Sequence, residues 1–294
     1  MVGQHLLRVV SMLVLLAAAS RTSTGFIRAV GFPGVARGDL PRRLWAGQRS
    51  AEGWAPPGLS EFRRVHSLIE ELRADRTAVV DWAGSHALYE TGRREFPHLT
   101  PTELDFQALV SLMLSSQTKD TVNAQVMKVL REHGLTIECI LATPDEQLNE
   151  MISPVGFHNR KTKYIKDTAV LLRDRHGGQV PDSLSDLLAL PGVGPKMALL
   201  ALQVVHGRVE GISVDTHVHR ISNALGWSQT ARPEQTRKAL ESWIPRQYWP
   251  DLNLLIVGLG QESQTEKPKL RKKCLECSRP QEAMELMRVL GVRL

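Results

Sequence analysis

"ALPGVGPKMALLAL", residues 189–202, sets a Pro-Gly-Val-Gly turn directly before a lysine that opens an otherwise apolar segment. "SLSDLLAL" (183–190) precedes the turn and "PKMALLALQVV" (195–205) follows it, so the stretch reads as helix, tight turn, helix. Gly192 and Gly194 let the backbone around Val193 turn sharply and bring its N–H groups to the surface. Those amides and the N-terminus of the next helix form a pocket for an anion, and a DNA phosphate is the natural guest. Pro195 suits the first helical position, where its missing N–H costs nothing. Lys196 comes next. The helix dipole and the apolar neighbours Met197, Leu199 and Leu200 disfavour its charge, which makes the free amine available as a nucleophile. On its own the lysine also fits a surface position whose stem covers apolar neighbours, and many helix junctions use Gly-Val-Gly.

Working outward, the chain reads as helix after helix. Phe106, Leu109, Val110, Met113 and Leu114 recur at three- and four-residue steps, and Val122, Val126, Val129 and Leu130 repeat the pattern until Gly134 stops it. "TPDEQLNEMI" (143–152) suggests Thr143 as N-cap, Pro144 as first helical residue and Glu146 closing a capping box. Gly177 ends another helix, and further helices are expected at 215–225, 234–244, 250–259 and 281–290. No strand-alternating run or Asn-Gly hairpin interrupts the series, so the class is all-α.

Length, 294 residues, suits one large or two modest domains. The net charge of +6 is concentrated in the first sixty residues and the last thirty-odd, which leaves 61–261 slightly acidic. DNA binding by the body must therefore come from local geometry. Three cysteines, Cys139, Cys274 and Cys277, are too few for a disulfide framework. The N-terminal apolar run of about eleven residues is far short of a membrane span, so no membrane partner is expected. Up to Arg37 the leader is rich in Arg and Ser, matching a mitochondrial leader, while Arg8 and "AAAS" match a secretory signal equally well. "GISVDTHVHRISNAL" (211–225) places Asp215 at a helix start, where it can act as cap and as catalyst. Its His, Asp and Arg are not spaced like a zinc site, and no metal ligands are assigned.

"LPGVGPKMA", with the Asp215 of "VDTHVHR" nineteen residues past its lysine, resembles the endonuclease III family of DNA glycosylases. "LMLSSQTKD" (112–120), "VGFHNRKTKYI" (155–165) and "VGLGQ" (257–261) extend the resemblance from near residue 60 to Gln261. It implies a two-domain helix-hairpin-helix fold, with a six-helix barrel over 104–208 that carries the hairpin at 183–206. The second helical domain would comprise 60–103 and 209–261 and hold Asp215. By resemblance Lys196 attacks C1′ of the damaged nucleotide, expels the base and forms a Schiff base, and β-elimination then cuts the strand. Asp215 assists base departure, and the flipped nucleotide enters a pocket between the domains. Gln117 fills the gap left in the duplex and Phe157 is the apolar wedge opposite, although the residues alone read as helix surface and core. The lysine marks a bifunctional glycosylase and lyase, with oxidised or ring-saturated pyrimidines as the substrates the family implies. The partner is double-stranded DNA with a damaged base or abasic site, bound by a monomer. A repair body tips the leader toward mitochondria, with the nucleus as second site.

Relatives usually carry four cysteines and a [4Fe–4S] cluster after this point. Here "ESQTEKPKLRKK" intervenes, and only Cys274-x2-Cys277 remains. Two thiolates cannot hold four irons, so no cluster is expected and no cofactor is needed for the chemistry. Residues 1–55 are expected to be a leader and 262–294 a divergent tail that departs from the preceding packing. Its Lys/Arg run at 267–273 could contact phosphate. If the tail disrupts its domain, the alternative is an inactive, DNA-binding-only isoform.

Overall fold

The computed structural model describes residues 49–50 and 53–294. The expected leader, and with it the targeting reading, lies outside the described residues except for its last few positions. A two-residue antiparallel ladder pairs β1 (Arg49–Ser50) with β2 (Gly53–Trp54). Every later element is helical: α1 (Leu59–Leu72), α2 (Val79–Ala83), α3 (Ser85–Glu95), α4 (Pro101–Ser115), α5 (Asp120–His133), α6 (Ile137–Ala142), α7 (Asp145–Met151), α8 (His158–His176), α9 (Leu184–Ala189), α10 (Pro195–His206), α11 (Thr216–Ala224), α12 (Pro233–Glu241), α13 (Trp249–Thr265), α14 (Lys267–Glu276) and α15 (Pro280–Val289).

Local chemistry sets the ends. Thr100 caps α4: its hydroxyl accepts from Glu103 N–H at 3.3 Å, while Glu103 accepts from Thr100 N–H at 2.7 Å. The same device was expected of Thr143, and it is not found. Thr143 ends α6, where its hydroxyl donates to the Cys139 carbonyl at 2.7 Å and meets His133 Nε2 at 2.8 Å. Pro144 is extended and serves as the N-cap of α7.

The apolar residues gather into two cores. One combines Phe106, Leu109, Leu112 and Leu114 of α4 with Met127, Ile165, Leu172 and Leu202 from α5, α8 and α10. The other joins Phe62, Leu68 and Ile69 of α1 to Val218 and Ile221 of α11, Trp227, and Leu252, Leu255 and Leu259 of α13. Membership departs from the expected boundaries in two places. Leu88 of α3 packs in the first core, so only α1 represents the N-terminal segment squarely in the second. The tail does not stand apart either: Leu270, Cys274, Ala283, Leu286, Met287 and Leu290 are buried in the second core. Their three- and four-residue spacing is the amphipathic pattern that α14 and α15 need to lie against α1 and α13.

Polar ties close the tail over that core. Arg64 of α1 pairs with Glu282 of α15 at 2.7 Å, and Arg279 donates to the Arg64 carbonyl at 2.9 Å. Lys273 reaches Asp75 at 2.6 Å and Glu262 at 3.0 Å, and Lys269 is held by Asp75 and Glu266. Part of the basic run that could contact phosphate is therefore used inside the chain. Behind it lies Arg73, fully buried, with Asp81 and Glu262 each 2.5 Å from its guanidinium. Gly258 makes the room, since a Cβ there would fall 2.2 Å from Arg73 Nη2. This buried pair of carboxylates on one arginine ties the end of α1 to α2 and α13.

Candidate active site

The hairpin forms as its sequence dictates. Ser183 caps α9, the turn runs through 191–194, and α10 begins with Pro195 at its first position. Gly192 takes φ +77°, a left-handed conformation, and lies against the ring of Tyr164. Val193 holds the turn from inside: its side chain is buried and its N–H donates to the Leu190 carbonyl at 3.2 Å. Gly194 is the N-cap of α10 and supplies no side-chain cap, so the first-turn amides of α10 face outward with the positive end of the dipole. Lys196 is the second residue of that helix and half-buried.

Asp215 stands at the start of another helix. Its carboxylate accepts from Val218 N–H at 2.8 Å and so caps α11, with extended backbone leading in from the buried Ile212–Val214 stretch. Lys196 and Asp215 both line one cavity of about 820 Å³, walled by α2 and the α4–α5 junction on one side and by α10, α11 and α13 on the other. A cavity of that size lies within the range that holds a nucleotide-sized ligand.

Three further residues share this cavity without having been singled out in the sequence: Asp120, His217 and Gln261. Gln261 is fixed at both ends of its amide. Its oxygen accepts from Val80 N–H at 2.8 Å and its nitrogen donates to Asp120 at 2.7 Å. Burial pushes the Asp120 carboxyl above its usual range, against the pull of the Gln261 amide and the Lys196 ammonium. The cavity therefore presents a lysine and two carboxylates, Asp120 and Asp215. Asp120 and Gln261 sat inside quoted motifs, "QTKD" and "VGLGQ", but nothing in their spacing announced that they would meet.

Gln117 and Phe157 do not lie where residue type alone would put them. Gln117 is in the turn after α4, exposed at φ +51°; Phe157 is the N-cap of α8, 57% exposed at φ +59°. Among the described residues only three non-glycines adopt positive φ, and these are two of them. Such strain concentrates at functional sites, because elsewhere nothing would hold it in place.

The cysteines do not fit a four-iron cluster, whose irons take four thiolates. Cys274 is fully buried in the second core, where burial pushes its thiol up to about 11. Cys277 turns its thiol to the Cys274 carbonyl at 3.3 Å, and Cys139 sits on α6, away from that core. Among the described residues no group of three His, Cys, Asp or Glu side chains is arranged to hold a metal ion. None of the helices among these residues is long and apolar enough to cross a membrane.

The family model of the HhH-GPD superfamily base excision DNA repair proteins matches residues 110–246, a span that includes the hairpin, Lys196 and Asp215. Endonuclease III-like protein 1 of Bos taurus is 46% identical over 229 residues, which cover 77% of this chain and 71% of that protein. The chain belongs to the endonuclease III family. Its relative of the same description in Mus musculus is 49% identical over 211 residues, 71% of this chain and 67% of that protein. Solved endonuclease III structures share the fold. A trapped endonuclease III–DNA covalent intermediate superposes with TM-score 0.56 at 26% identity, covering 77% of this chain and 98% of that one. A non-covalent endonuclease III–DNA complex gives 0.54 at 28%, covering 68% and 95%. The all-helical, helix-hairpin-helix architecture read from the sequence is thus the architecture of the family.

Proposed function

We propose that this endonuclease III family member is a bifunctional DNA glycosylase and abasic-site lyase of base excision repair, acting as a monomer on oxidised or ring-saturated pyrimidines in duplex DNA. The observation that carries the reading is the convergence of Lys196 and Asp215, each at the N-terminus of a different helix, on one cavity between the two cores. The hairpin amides grip a phosphate of the damaged strand and the flipped nucleotide enters the cavity. The Lys196 amine attacks C1′, and the glycosidic bonding pair leaves with the base. Opening of the sugar ring gives the Schiff base between C1′ and Lys196 Nζ. Loss of a C2′ proton then breaks the C3′–O bond, and water releases the enzyme. Asp215 favours both steps, as acceptor for the amine proton and as counter-charge to the cation that develops on the sugar. Gln117 fills the gap that the flipped nucleotide leaves, and Phe157 is the apolar wedge opposite. Support for DNA as the ligand comes from the endonuclease III–DNA complexes that the fold matches.

Borohydride trapping on duplex DNA with thymine glycol or an abasic site tests the assignment. Wild-type protein is expected to form a covalent adduct and Lys196→Gln none; an adduct that survives Lys196→Gln would sink the nucleophile, and no adduct from folded wild type would leave a DNA-binding protein. The reading carries mitochondria and nucleus as the sites of action. Imaging of the tagged full-length chain, with exclusion from both as the adverse result, checks it.

A further inference from the structure

The two strained residues are joined by a third. Helix α4 ends at Ser115 without a glycine to turn its last carbonyls inward, and Ser116 is already extended. The Leu112, Met113 and Ser115 carbonyls are met locally, by the Ser115 and Ser116 hydroxyls and the Thr118 N–H, but two others draw on a distant segment: Lys161 Nζ donates to the Leu114 carbonyl at 2.7 Å and to the Ser116 carbonyl at 2.6 Å. Ser116 immediately precedes Gln117. The backbone N–H of Lys161 donates at 3.1 Å to the carbonyl of Phe157. Lys161, itself only 5% exposed, thus ties the segment before Gln117 through its side chain to the first turn of the helix that Phe157 caps. The two segments also touch directly, since a Cβ on Gly156 would fall 2.6 Å from the Gln117 carbonyl oxygen. Gln117, Phe157 and Lys161 line a second, smaller cavity of about 190 Å³ beside Gly192 of the hairpin turn.

We propose that Lys161 is a positioning residue that locks Gln117 and Phe157 at one spacing, so that they enter the duplex as a single wedge. The inference rests on the reading of those two residues as DNA-inserting. A local cap would satisfy α4 equally well as a helix end. A cation carried by the Phe157 segment adds to the Gly156 contact a tie between the two insertions that a local cap would not supply. Opening a base stack is costly and is repaid only by groups already in place when the duplex bends.

The test uses the full chain and duplex DNA with 2-aminopurine opposite a non-cleavable abasic-site analogue, where unstacking raises fluorescence. Wild-type binding should raise it, and both Gln117→Ala and Lys161→Met should lose most of the rise. Lys161→Arg, which can still bridge two carbonyls, should recover part of it. In parallel, kcat/KM for excision from damaged duplex should fall on the order of a hundredfold in Lys161→Met. Trapping on a single-stranded abasic site, which has no stack to enter, should fall far less. A wild-type fluorescence rise in Lys161→Met overturns the proposal, as does an equal loss on duplex and single strand, which a purely structural cap would cause. If Lys161→Met does not fold, Lys161→Gln decides: its shorter amide cannot bridge the Leu114 and Ser116 carbonyls, so an undiminished rise overturns the proposal and a lost one that Lys161→Arg partly recovers supports it. Wild type that raises fluorescence but forms no adduct refutes the enzyme reading alone, and the Lys161 comparison still stands. Wild type that raises none refutes insertion, and the wedge with it.

Discussion

Gly192→Ala tests the hairpin at its narrowest point. Gly192 sits at φ +77°, and an added Cβ would lie 2.4 Å from Tyr164 Cδ2 and 2.9 Å from Cγ. Ordinary contact begins near 3.4 Å, so the turn or the ring must give way by about 1 Å. The ring cannot retreat freely, because Tyr164 is packed against the first core. Left-handed strain on alanine costs about 1–2 kcal/mol and overpacking about 1–3 kcal/mol. Together these predict a loss of about 2–5 kcal/mol, or roughly 4–20 °C in Tm at about 2–4 °C per kcal/mol for a body of this size. The larger consequence is functional. A turn moved by about 1 Å misplaces the amides that hold the phosphate, and errors of that size cost on the order of a hundredfold. Titration of a duplex containing an abasic-site analogue over a salt series should show weaker binding and a shallower slope of log K against log salt, by about one for each phosphate no longer held. Gly194→Ala is the internal comparison. No atom lies within 4 Å of its Cβ and its backbone is extended, so its stability cost should stay under about 1 kcal/mol. Equal effects of the two substitutions on Tm, or wild-type binding by Gly192→Ala, would refute this account of the turn.

Other outcomes follow from the packing around the second core. Arg73→Met strips both Asp81 and Glu262 of their buried partner and should cost about 3–5 kcal/mol in urea unfolding. Adding Glu262→Met should recover part of that loss, and a merely additive double variant would contradict the pairing. Cys274 has its thiol pushed up to about 11, so the unfolded chain loses this proton first as pH rises. The sign is therefore a stability contribution complete below the ordinary thiol range and lost between about pH 9 and 11; the wild-type minus Cys274→Ala difference in unfolding free energy should narrow across that window. A flat difference would place the thiol in water. Removing residues 278–294 deletes Leu286, Met287 and Leu290 from the core. At about 1.5–3 kcal/mol each, their burial rivals the whole stability of an ordinary domain. The truncated chain should lose cooperative unfolding by circular dichroism, and a sharp wild-type transition would show the tail to be dispensable.

The helices were legible because their signals are local. Stripes at three- and four-residue spacing marked α4 and α5, and Pro195 and Gly134 marked a start and a stop. The failures were also local in origin. Thr143 and Pro144 carry the letters of a capping box, but the hydroxyl of Thr143 was taken by the helix behind it. The polar, Lys-rich beginning of the tail suggests a departure from the packing that the structure does not show. The stripe formed by Leu270, Cys274, Ala283, Leu286, Met287 and Leu290 was present in the letters, but it means packing only once α1 and α13 supply the surface it covers. Phe157 looked like core by residue type and is exposed.

What the sequence determined by itself is the hairpin and its two chemical groups. Glycine, proline and an N-terminal helix position act within a few residues, so the turn, the lysine at the head of α10 and the carboxylate capping α11 follow from the order of letters. Whatever depends on distance in space was decided only by the tertiary structure. That Lys196 and Asp215 share a cavity, that Gln261 sets Asp120 beside them, and that a lysine on α8 caps α4 all join segments far apart along the chain. The physical reason is that such contacts form only after two separate apolar cores have closed, and no local pattern of residues records which faces those cores will bring together.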